Sequence, residues 1–196
     1  MLALKERQFN EALAKAHGVV VDALSNTEIV TAGEAVDVSA NVYYRASAGE
    51  PSPEAKLIAP AKWQVAPLTS APDVQGGGFR GREAPNFVAR FRATVPEGAP
   101  STQPYWLAKP RTKDQFDWDE TMPQTLPFGP PVAEARIELT LSGERVVINQ
   151  PVEYRFADKT FGVGKLRGEL IVEIGAVGDQ HNSRAFKGHA FHQQPG

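Results

Sequence analysis

From Ala35 to Tyr44 the side chains alternate, with Val36, Val38, Ala40 and Val42 on one side and Asp37, Ser39 and Asn41 on the other. Period two over that length is the repeat of a β-strand, and it predicts a strand with one apolar face and one wet face. Such a strand needs neighbours, and the chain supplies them. Phe87, Ala89, Phe91 and Ala93 alternate against Arg90 and Arg92, and residues 133–141 alternate again. Shorter apolar or alternating runs stand at 19–24, 28–30, 55–59, 63–65, 145–150, 151–156 and 168–174. Seventeen glycines and sixteen prolines separate these runs into short segments, as a turn-rich β fold requires.

The connections divide into tight and long. Thr31-Ala-Gly-Glu reads as a turn, and Ser142-Gly143 between two alternating runs is a hairpin signal. Residues 67–85, centred on Gly76-Gly-Gly, read as a long hairpin loop. Residues 109–131 form a second long connection, whose Phe116, Trp118 and Leu126-Pro-Phe are expected to pack over the sheets, since disordered linkers are poor in aromatics. Residues 178–196 are polar and without periodicity, and read as a loose tail.

One helix is expected, over the first sixteen residues. Leu2, Phe9, Leu13 and Ala16 fall near one stripe, with Lys5, Glu6, Asn10, Glu11 and Lys15 opposite. Gly18 is the expected stop and His17 a cap for the helix dipole. The apolar stripe needs a partner, either the following sheet or a domain outside this sequence. The division is then a linker helix at 1–17, an immunoglobulin-like β-sandwich with long loop insertions at 18–177, and the tail.

A formal net charge of −2 with interleaved signs creates no field that would draw nucleic acid or an anionic membrane. No apolar run approaches the roughly 18 residues of a membrane span. The first residues become charged by Lys5 and lack the apolar centre of a signal peptide. The chain contains no cysteine, which removes disulfides and thiolate metal sites and says nothing of compartment.

Chemistry-bearing residues are scattered. His189 and His192 are spaced to share a metal on a turn, but neither a helical pattern nor a third ligand accompanies them. Asp114, Asp117, Asp119 and Glu120 share a loop with Phe116 and Trp118, which suits either a cation or sugar site or an ordinary solvated loop. No Gly-x-Ser-x-Gly elbow occurs, and Gly76-Gly-Gly and Gly162-Val-Gly do not lead into helices, which argues against a phosphate cradle. Carboxylates for glycoside hydrolysis must face each other across a cleft, which one loop does not supply. Beyond the strand at 87–94 lies a proline-pinned corner, Thr102-Gln-Pro-Tyr-Trp-Leu. Tyr105 and Trp106 there, with Phe116 and Trp118, are the candidates for stacking against a ligand, with core plugs as the alternative.

Five stretches carry a resemblance: residues 9–24, Val30-Thr-Ala-Gly-Glu-Ala-Val-Asp-Val-Ser-Ala, Thr94-Val-Pro with Thr102-Gln-Pro-Tyr-Trp-Leu, Leu126-Pro-Phe-Gly-Pro-Pro, and Val152-Glu-Tyr-Arg-Phe-Ala-Asp. Together they resemble the region downstream of the catalytic domain in large bacterial deacetylases of the PIG-L (LmbE-like) family, over about residues 5–177. That region is similar to the β-sandwich modules of bacterial glycosidases. The resemblance implies a zinc-dependent enzyme that removes acetyl groups from N-acetylated sugars, with a His-Pro-Asp-Asp motif binding the metal. No histidine of this chain precedes Pro-Asp-Asp, so no catalytic or metal residue carries over. The expectation is a non-catalytic C-terminal piece without cofactor of its own, supporting or targeting a PIG-L-type domain in a periplasmic or extracellular setting. Zinc is expected only in that absent domain. The rival expectation is a stand-alone carbohydrate-binding module working through Tyr105, Trp106, Phe116 and Trp118. A third is an enzyme with a metal site at His189 and His192.

Overall fold

The computed structural model describes residues 2–46, 49–69, 85–107, 109–117, 129–158, 162–169 and 171–173. One helix, α1 (Leu2–Ala16), leads into eleven strands: β1 (Val20–Ser25), β2 (Ile29–Thr31), β3 (Ala35–Tyr43), β4 (Glu54–Ile58), β5 (Gln64–Pro67), β6 (Phe87–Thr94), β7 (Glu134–Leu141), β8 (Glu144–Pro151), β9 (Glu153–Asp158), β10 (Gly162–Glu169) and β11 (Ile171–Glu173). The described chain is mostly β, as the alternation requires.

Six strands form one sheet in the order β10-β9-β1-β3-β6-β5, three form a second in the order β4-β7-β8, and β2 pairs with β11. The pairs β1–β9 and β2–β11 are parallel, and the others are antiparallel. The β3–β6 ladder runs from Ala35↔Thr94 to Val42↔Phe87, so the apolar faces of the two best alternating strands coincide. Val36, Val38, Ala40, Val42, Phe91 and Ala93 from the larger sheet share one buried cluster with Leu57, Ala135, Ile137, Leu139, Leu141 and Val146 from the smaller. The largest fully buried side chains, Val30, Val36, Val38, Val42, Val95, Ile137 and Val146, are all β-branched, a shape that packs well on a pleated surface. Ile137 is fully buried, and its removal from water is worth about 1.5–3 kcal/mol.

The tight turns follow their residues. Leu141 pairs with Glu144, leaving Ser142 (φ 52°) and Gly143 (φ 85°) as a two-residue loop with both φ positive. That is the turn whose twist suits a hairpin. The expected hairpin over the glycine-rich loop is present as the β5–β6 pair, whose connection includes residues 70–84, outside the described ones.

The wet-face expectation for residues 35–44 holds only in part. Asp37 and Asn41 are half-buried but Ser39 is buried, and in β1 the second face is buried as well, with Asp22 2% and Leu24 6% exposed. Strand β1 lies between β9 and β3, and Arg155 of β9 reaches Asp22, its Nη2 donating to Oδ2 at 2.9 Å. A buried carboxylate requires such a partner.

Helix α1 ends on a Schellman turn. The Gly18 N–H donates to the Lys15 carbonyl at 3.0 Å and the Val19 N–H to the Ala14 carbonyl at 2.9 Å, with Gly18 at φ 70°. Ala14 and Val19, the apolar pair of that motif, are both buried. Both belong to the buried core cluster, so this side of the helix faces the sheets.

Candidate functional site

The corner after β6 is pinned at both ends. Val95 is fully buried; its N–H donates to the Glu34 carbonyl at 2.8 Å, and its carbonyl accepts from Gly33 at 3.0 Å. Further along, the Thr102 N–H donates to the Val172 carbonyl at 2.8 Å, and the Val172 N–H returns a bond to Thr102 Oγ1 at 3.0 Å. The Leu107 N–H then closes on the Pro104 carbonyl at 2.9 Å, making Tyr105–Leu107 a short 3-10 turn. The corner is therefore held by backbone bonds to the β2–β3 turn and to β11.

Of the four candidate aromatics, Trp106 is half-buried and Phe116 is 43% exposed. The Tyr105 side chain and Trp118 lie outside the described residues. Phe116 was expected to anchor its loop over the sheets, and its exposure departs from that. Its position follows from a local turn in which Thr112 and Gln115 exchange backbone hydrogen bonds at 3.0 and 3.1 Å. Asp117 accepts from Thr112 Oγ1 at 2.8 Å, and Asp114 is exposed to solvent. Asp119, Glu120, His181, His189 and His192 lie outside the described residues. Among the described residues no three histidine or carboxylate side chains are grouped to hold a metal ion. No described helix is long and apolar enough to cross a membrane.

Carboxylates are held by partners across strands, along one strand and within a turn. Arg92 binds Asp37 through two bonds of 2.7 Å, and this bidentate contact holds the Asp37 carboxyl below its ordinary range despite partial burial. On the outer face of β7 and β8, Arg145 and then Arg136 hold Glu138 below its ordinary range in the same way. The Thr31 backbone N–H does so for Glu34.

The helix stripe, whose partner the sequence left open between the following sheet and a domain outside it, is covered only in part. Leu2 is 85% and Phe9 70% exposed, and Ala16 is exposed too. The sheet instead receives Ala14, with Leu13 and Asn10 half-buried beside it. Ala14 sits roughly 140° around the helix from Phe9 at 3.6 residues per turn. That side turns inward with Leu13 of the stripe at its border, and Leu2, Phe9 and Ala16 are left outward. Gly18 was the available signal, since a Schellman stop implies an apolar pairing across it.

Comparison with protein-family models and with curated proteins found no match.

Proposed function

We propose that this chain is a non-catalytic accessory domain, an immunoglobulin-like β-sandwich that docks on and supports a PIG-L-type N-acetyl-sugar deacetylase domain. The observation that carries this reading is the outward part of the apolar stripe of α1, Leu2 and Phe9. Exposed Leu2 and Phe9 on a helix already anchored through Ala14 make a ready contact for a second apolar surface. Two sheets sharing one core support the sandwich, and the resemblance over residues 5–177 supports the choice of partner. Chemistry then belongs to the partner, which supplies zinc and its ligands, while this chain contributes a rigid surface.

The test mixes the purified chain with a PIG-L-type catalytic domain that carries the His-Pro-Asp-Asp motif. Size-exclusion chromatography with light scattering is expected to show a one-to-one complex, lost in the Leu2→Lys, Phe9→Lys double variant. Persistence of two separate folded species at micromolar concentrations overturns the reading.

A further inference from the structure

The first turns of α1 overhang the outer face of β7 and β8, and a cleft of about 530 Å³ opens between them. Small-molecule sites occupy about 300–1,000 Å³, a range that includes this open cleft. Leu4 from the helix and Val147 from β8 give it an apolar wall and floor. Asn10 on the helix and Asn149 on β8 each bring one carboxamide, so both sides of the cleft offer a donor and an acceptor. Arg7 and Arg136 add guanidinium groups.

Charge decides the class of ligand. Arg136 Nε already donates to Glu138 Oε1 at 3.1 Å, and Arg7 stands 3.7 Å from Glu11. With Glu6 also lining the cleft and Arg145 sharing Glu138, three guanidiniums meet three carboxylates, so the cleft has no excess positive charge to hold an anion. What remains is a set of paired donors and acceptors around a small apolar surface. Vicinal hydroxyls match carboxamides and the remaining guanidinium N–H groups, and the C–H face of a pyranose matches Leu4 and Val147.

We propose that this cleft binds a neutral saccharide of one or two sugar rings. The site is separate from the aromatic corner, uses no stacking ring, and stands whether or not the chain docks on a deacetylase domain. Calorimetric titration of the full chain with cellobiose, maltose and N,N′-diacetylchitobiose is expected to give saturable binding to at least one of them. Asn10→Ala and Asn149→Ala should each weaken it about tenfold, the scale of one lost polar contact. Val147→Trp, which fills the floor, should abolish it, and Trp106→Ala should leave it unchanged; circular dichroism checks that each variant is folded. The proposal is overturned if no neutral saccharide binds the folded chain, or if only glucuronate or inorganic phosphate does. It is equally overturned if Trp106→Ala removes binding while both asparagine variants retain it.

Discussion

Asp37 and Arg92 face each other across β3 and β6, registered by the ladder and joined by two short bonds. The guanidinium favours the ionised carboxyl, so Asp37 binds its proton less readily folded than unfolded. Its contribution to stability is complete above the ordinary aspartate range and is lost as pH falls through the lowered folded value. Asp37→Asn should therefore lower the melting temperature at neutral pH by a few degrees at most, since Arg92 is more than half exposed. The gap should close in strong acid, where both proteins carry an uncharged side chain. Thermal unfolding followed by circular dichroism across pH checks this, and a gap independent of pH would refute it. The alternation around Val38 announced that Asp37 points away from the core. Its partner was not legible, because Arg92 is brought opposite only by the register of a strand more than fifty residues later.

At the level of elements, local signals read well, while the rotation of α1 was left open. Ser142-Gly143 identified a hairpin because two successive positive-φ positions leave few alternatives. Gly18 identified the end of α1 for the same steric reason. The stripe of Leu2, Phe9, Leu13 and Ala16 correctly signalled a helix, yet periodicity cannot say which side a terminal helix turns inward. Of strand β10 only Gly168 and Glu169 fall in the run read at 168–174, because Gly162-Val-Gly lacks the apolar pattern of a strand; it forms by pairing with β9 across a register shift between Gly162 and Leu166. Two substitutions separate these effects. Gly18→Val should cost about 1–2 kcal/mol, since a β-branched residue must enter the left-handed region. Phe9→Ser should stay within about 0.5 kcal/mol, as exposed positions do. Urea unfolding of both variants checks the pair. A loss from Phe9→Ser comparable with that of a core truncation would show the stripe to be buried in the free chain.

Over the whole molecule, the first strand and the late strands meet. Among the described residues β9 joins β1 in parallel at Leu24↔Glu153 and Ser25↔Tyr154, with the bond from Ser25 Oγ to the Glu153 carbonyl and the Asp22–Arg155 ion pair beside them. On its other side β1 holds β3 through six registered pairs, from Val20↔Tyr43 to Ser25↔Val38. The short ladder thus leans on the ion pair far more than the long one does. Nothing in the sequence marks this junction, because Asp22 and Arg155 lie far apart in the chain and each reads alone as a surface charge. Asp22→Ala should cost about 3 kcal/mol, the consequence of leaving a mostly buried guanidinium without its carboxylate. Asp22→Leu combined with Arg155→Met should recover most of that loss, because the charge is removed from both sides. Native-state hydrogen exchange distinguishes where the loss falls. In Asp22→Ala the amides of β9 and β10 should lose protection first, while those shared by β3 and β6 and by β7 and β8 keep theirs. An equal loss across all strands would mean that the junction is an integral part of one cooperative core rather than the weak seam between the late strands and the rest.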